Sequence, residues 1–144
     1  MSQTDWNWTV EKKFCSQAEL AAQMIRQIVD QLDQAQWSKK EQLDIHLCLE
    51  EAFMNAIKHG NDNDAEKCVD TRCWVSQEIF RIEISDEGPG FDMEDVPDPT
   101  AEENLTNTSG RGLMLMKHYM DLVRYNDSGN LVLLEKYRNP EHQD

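Results

Sequence analysis

Residues 43–60, LDIHLCLEEAFMNAIKHG, set Ile45, Cys48, Leu49, Ala52, Phe53 and Ala56 at the i, i+3, i+4, i+7 spacing of one apolar helix face. Upstream, Ser38 and Glu41 form a capping box, and downstream Gly60 is expected to close the helix as its C-cap. At about 100° per residue, Glu51, Asn55 and Lys58 fall within about 60° of one another, beside the apolar stripe. Solvated helix faces often carry such polar residues, but Asn55 is a poor helix former with little reason to sit mid-helix. Its neutral carbonyl oxygen suits Mg²⁺, and a carboxylate one turn away at Glu51 can orient a hydroxyl or water. Glu50 lies about 100° further round and can face solvent.

Outward from this helix the periodicity changes. Trp6, Trp8 and Val10 alternate with polar residues, which predicts a strand over 6–14. Leu20, Met24, Ile28 and Leu32 recur at i, i+4 behind Ser16 and Glu19, which predicts a second capping box and a helix to about Gln36. Beyond the polar turn NDNDAE, residues 68–75 and 78–85 read as strands joined by a tight turn. Residues 92–109 hold two prolines, six carboxylates and no Lys or Arg, and are expected to form a mobile flap. A helix opening at Gly110-Arg111-Gly112 carries Leu113, Met116 and Met120 inward. Strands over 122–125 and 131–137 turn at Asp127-Ser128-Gly129. Paired strands with helices gathered between them predict an α+β fold, a two-layer α/β sandwich with helices on one face of a mixed, mostly antiparallel sheet. One domain over 1–138 and a frayed tail over 139–144 complete the expectation.

The chain has 144 residues, 39% hydrophobic and 29% charged, with a net charge of −14. That composition belongs to folded domains, and the acidity argues against nucleic acid or an anionic membrane as partner. Neither a signal peptide nor an apolar run of membrane-spanning length is apparent, so a cytoplasmic protein is expected. Cys15, Cys48, Cys68 and Cys73 form no CxxC pair and are expected to be reduced thiols. Cys68 and Cys73, an odd number apart on one strand, face opposite ways and do not pair.

A phosphate ligand on so acidic a chain must be held by local devices. In Asp86-Glu87-Gly88-Pro89-Gly90-Phe91, Gly88 and Gly90 allow close backbone approach to a flat ligand, while the Asp86 carboxylate can accept from an amine such as that of adenine. In Ser109-Gly110-Arg111-Gly112-Leu113, glycines at a helix start offer N–H groups to phosphate.

Taken in order, helical ExxxNAxxHG, strand-terminal DxGxGF, a flap and GxGLxLM at a helix start resemble the N-box and glycine boxes of the GHKL ATPase superfamily, from about Leu43 to Tyr137. The LEEAFMNAIKHGN and SGRGLMLM wording is most similar to the anti-sigma serine-protein kinases of partner-switching systems. The resemblance implies the histidine-kinase-like ATPase fold, ATP and Mg²⁺ as cofactors, and a flexible ATP lid at about 92–109. It implies Glu51 as general base for a substrate serine and Asn55 as Mg²⁺ ligand, with Lys58 and His59 near the phosphates. Asp86 would read the adenine amine with Gly88 and Gly90 as close-approach glycines. Ser109, Gly110, Arg111, Gly112 and Leu113 would form the nucleotide-binding run at the lid's end.

Two departures accompany the resemblance. Relatives often place a basic residue near the lid's end, whereas Arg111 is the nearest candidate here. Relatives also tend to carry Gly-Thr before the last strand, where this chain reads Gly129-Asn130-Leu131. The implied activity is ATP-dependent serine phosphorylation of a STAS-type anti-sigma antagonist, with sequestration of a sigma factor. A homodimer is also implied, because relatives commonly dimerise. The alternatives are a nucleotide-gated binding module with little kinase activity, and a detached histidine-kinase catalytic domain with His46 or His118 as the helical histidines available.

Overall fold

The computed structural model describes residues 6–88 and 108–139, with side chains in the second segment from Gly112 onward. Strand β1 (Trp8–Cys15) leads into helices α1 (Ala18–Gln34) and α2 (Lys39–Met54), the latter continuing through a π-helical turn (Asn55–Gly60). Strands β2 (Cys68–Val75) and β3 (Ile79–Ser85) precede helix α3 (Thr108–Tyr119), β4 (Leu122–Tyr125) and β5 (Leu131–Tyr137). The expected flap falls outside the described residues except at its end, where α3 begins two residues before Gly110.

The strands lie in the order β1-β2-β3-β5-β4, and every pairing among the described residues is antiparallel, so no parallel pair of the expected mixed sheet is found there. Alternation sends Val69, Thr71, Cys73 and Val75 of β2, Phe80, Ile82 and Ile84 of β3, and Val132 and Leu134 of β5 to the buried face. The register sets Cys73 opposite Ile82 and Ile82 opposite Leu134. Ile28 and Leu32 of α1, Ile45, Leu49 and Phe53 of α2, and Met116 of α3 join the same core, which makes the two-layer sandwich.

Local signals are met at α2 and displaced at α1. Ser38 Oγ accepts from the Glu41 N–H at 3.1 Å, the forward half of the capping box, and also donates to Glu41 Oε1 at 3.1 Å. Glu41 is fully buried, and its Oε2 also accepts from the Asn139 N–H at 3.0 Å, tying the end of the described chain to α2. The expected Ser16 cap does not form: the N-cap is Gln17, without a side-chain bond, and Ser16 Oγ donates to the Lys67 carbonyl at 2.8 Å. A tertiary acceptor has taken the hydroxyl from its local one. Helix α1 stops at Gln34, short of the expected Gln36, which sits at φ 70°. Trp37 N–H to Leu32 O and Gln36 N–H to Asp33 O, both 3.0 Å, make this a Schellman end. Trp37 is buried, its indole N–H donating to the Ser76 carbonyl at 2.8 Å.

Candidate functional site

The end of α2 is where the sequence reading and the structure part. Instead of closing at a Gly60 C-cap, the helix widens: the Asn61 N–H reaches back to the Ala56 carbonyl at 2.8 Å, an i to i+5 bond. Gly60 is needed for space, because a Cβ there would stand 2.2 Å from Asp86 Cγ. Gly88 is needed for the same reason, since its Cβ would lie 1.9 Å from the Gly60 carbonyl oxygen. The helix end and the turn after β3 therefore cross glycine on glycine. Lys58 and His59 lie in this widened turn and are exposed.

Glu51 and Asn55 themselves come together under α3. A Cβ on Gly112 would meet Glu51 Oε2 at 2.8 Å and Asn55 Nδ2 at 3.4 Å, so Gly112 leaves room for both polar heads. Glu51 Oε2 and Asn55 Oδ1 are buried and, among the described residues, have no hydrogen-bond partner. An unsatisfied buried polar atom costs about 1–3 kcal/mol, which a ligand supplying the missing partner would recover. Asn55 uses its other head atom on Tyr125 of β4, a residue absent from the sequence reading. The bond holds the Tyr125 pKa down, but burial dominates and pushes it up to about 12, with Asp86 adding to the rise. Tyr125 is thus coupled to both Asn55 and Asp86.

The turn that carries Asp86 is held by its own hydrogen bonds. Asp86 Oδ1 accepts from the Gly88 N–H at 2.8 Å, and its own N–H donates to the Asn130 carbonyl at 2.9 Å. Burial raises the Asp86 pKa, against the opposing pull of the Gly88 N–H and of Lys67. Asn130 donates from Nδ2 to the Gly88 carbonyl at 3.3 Å and is itself braced by Asn126. Beneath them lies Asn61, fully buried and also unforeseen. Its Nδ2 donates to Ser16 Oγ at 2.7 Å and to the Cys68 carbonyl at 2.9 Å, while its Oδ1 accepts from the Glu87 N–H at 2.7 Å. The Cys68 N–H closes the ring onto Glu87 Oε2.

The remaining candidates divide by position. Gly90 lies outside the described residues, and Ser109, Gly110 and Arg111 are placed in the first turn of α3 by their backbone alone. Gly112 and Leu113 follow in the same helix, and Leu113 is buried in the core. Among the described residues no cluster of three His, Cys, Asp or Glu forms; the unpartnered Asn55 Oδ1 is a single neutral oxygen of the kind that fits a Mg²⁺ shared with ligand phosphates.

The candidate site thus consists of a half-buried carboxylate at a glycine crossing, a buried tyrosine, and an orphaned Glu and Asn beneath α3. Residues 14–136 match the histidine kinase-like ATPase domain, and the chain belongs to that family. Within it, the chain is 32% identical over 108 residues to the serine-protein kinase RsbW of Bacillus subtilis (strain 168), covering 70% of this chain and 68% of the relative. It is 32% identical over 103 residues to the anti-sigma F factor of Halalkalibacterium halodurans, covering 67% and 70%. It is 25% identical over 109 residues to the serine/threonine-protein kinase BtrW of Bordetella bronchiseptica, covering 73% and 77%. No helix among the described residues is long and apolar enough to cross a membrane.

Proposed function

We propose that this protein is an ATP-dependent protein serine kinase of the partner-switching, anti-sigma type. The observation that carries the reading is the pair of buried, unpartnered oxygens, Glu51 Oε2 and Asn55 Oδ1, side by side under Gly112. Glu51 takes the proton of a substrate serine as its oxygen attacks the γ-phosphorus, forming the new O–P bond while the bond to ADP breaks. Asn55 Oδ1 is the protein oxygen that would hold Mg²⁺, which supplies neutralisation of phosphate charge when bound. Asp86 accepts from the adenine amine, Gly88 and Gly90 let the backbone approach the base, and the amides at the start of α3 face the phosphates with Ser109, Gly110 and Arg111. With a net charge of −14, such local groups rather than the overall field must hold ATP.

The substrate is a STAS-type antagonist protein, and in its other state the kinase sequesters a sigma factor, in the cytoplasm and as a homodimer. The RsbW and anti-sigma F factor likeness supports the partner classes. The decisive experiment incubates the purified protein with Mg²⁺, γ-labelled ATP and the antagonist encoded nearest to it. Labelled phosphoserine on the antagonist is expected; ATP binding with no transfer would overturn the kinase reading. That outcome would favour a nucleotide-gated binding module, the reading suggested by the absence of Lys and Arg from residues 92–109. An acid-labile phosphohistidine would point instead to a detached histidine-kinase domain. Against that, His46 sits 3.6 Å from Glu50 and His118 packs edge-on to Tyr119, as surface residues do.

A further inference from the structure

Two of the cysteines are placed directly opposite one another. The β1–β2 register pairs Cys15 with Cys68, at the end of the edge strand. Their neighbours Phe14 and Val69 point into the core, so both thiols project from the outer face of the sheet, Cys15 exposed and Cys68 half-buried. The Ser16 N–H donates to the Lys67 carbonyl at 3.1 Å, which makes 16/67 a hydrogen-bonded rung and 15/68 a non-hydrogen-bonded one. On such a rung the Cα atoms stand about 4.5 Å apart, inside but near the short limit of the range of about 4.4–6.8 Å that a disulfide spans. A bond there forms without moving the backbone far, and its tight geometry and exposure make it easy to reduce.

We propose that Cys15 and Cys68 are a reversible oxidation site that closes to an intramolecular disulfide under peroxide and reopens with thiol reductant. The exposed Cys15 thiolate attacks the peroxide, giving a sulfenic acid and releasing one water. Cys68 then attacks the sulfenic sulfur, displaces the hydroxyl as a second water and completes the S–S bond. The two thiols lose two electrons to the peroxide. Cys48 and Cys73 take no part: burial pushes the Cys48 thiol up to about 12 and the Cys73 thiol higher still. The bond would staple the edge strand at the rung that serves Asn61, because Ser16 Oγ and the Cys68 carbonyl are the acceptors of its amide. The crosslink therefore reaches the Asp86–Gly88 turn through one side chain, and the proposal is independent of the kinase reading.

The test treats the full chain, folded and reduced, with hydrogen peroxide, followed by thiol counting, peptide mass mapping and amide hydrogen exchange. Expected are two thiols lost of four, a Cys15–Cys68 linked peptide, recovery with dithiothreitol, and severalfold slower exchange at the Ser16 and Glu87 amides after oxidation. Cys15→Ser and Cys68→Ser should each abolish the linked peptide, whereas Cys48→Ser should leave it. Intermolecular dimers through Cys15 alone, sulfinic acid at Cys15 with Cys68 still free, or four unreacted thiols would overturn the pairing. A linked peptide with unchanged exchange at both amides would overturn the clamp on Asn61.

Discussion

The two ends of the site are built on opposite terms. At the Asp86 end, Asn61, Glu87, Gly88 and Asn130 exchange hydrogen bonds until the polar groups named there have partners. At the Glu51 end, one oxygen of Glu51 and one of Asn55 are buried with none. Burying satisfied groups makes a rigid floor; burying orphans stores a cost that a ligand or an ordered water can relieve. On the proposed function, base recognition falls to the preformed end and phosphate chemistry to the unfinished one, with Tyr125 coupled to both.

The sharpest way to separate the ends is Glu51→Gln. It keeps the shape of the side chain but removes the proton acceptor, so phosphoryl transfer should fall about 10²- to 10⁴-fold while ATP affinity stays within a few fold. Equal losses in both, measured by single-turnover transfer and equilibrium binding, would mean that the ends are not divided as described. Asn61→Ala attacks the floor. It strands the Glu87 N–H and leaves Ser16 Oγ and the Cys68 carbonyl without that donor, and should destabilise the fold by about 2–4 kcal/mol in urea unfolding. A loss below about 0.5 kcal/mol would show that the floor is not a cooperative unit.

Asp86→Asn sets binding against stability. Because burial raises the pKa of Asp86, the folded state holds its proton more firmly than the unfolded chain does. The stability tied to this group is present at low pH and is lost as pH rises through the raised value. The neutral variant should melt no lower than the parent at neutral pH, yet bind ATP about 10- to 100-fold more weakly, having lost a charged acceptor. In the parent, ATP affinity should weaken as pH falls through that same raised value. Outside both ends, Gln36→Gly relieves a left-handed residue at the Schellman end of α1 and should stabilise by about 0.5–1 kcal/mol with no change in nucleotide affinity.

What the sequence made legible follows from the range of each interaction. The strands, the α1 and α2 faces and the Ser38 box rest on spacings of a few residues, and they stand close to where periodicity put them. Glu51 and Asn55 were legible because four residues on a helix are one face. The turn that follows was not legible in this way, since its π geometry breaks that periodicity and is held by Asn61, a residue beyond the helix. Tyr125 sits on a strand whose place at the sheet's far edge no local pattern announces. Gly60 was read as a helix stop because its true constraint, the carboxylate of Asp86, lies 26 residues away in the chain. Asn61 alone had a weak signal: a lone Asn directly after a helix and glycine, buried rather than solvated.

The central claim is that Asn55 Oδ1 is completed by Mg²⁺ bound with the nucleotide, and calorimetric ATP binding to the parent and to Asn55→Ala, each with Mg²⁺ and with excess chelator, tests it most directly. The parent is expected to lose at least tenfold in affinity in chelator, as a net charge of −14 also favours, and Asn55→Ala with Mg²⁺ to match the parent without it. Equal parent affinity with Mg²⁺ and with chelator would contradict the account.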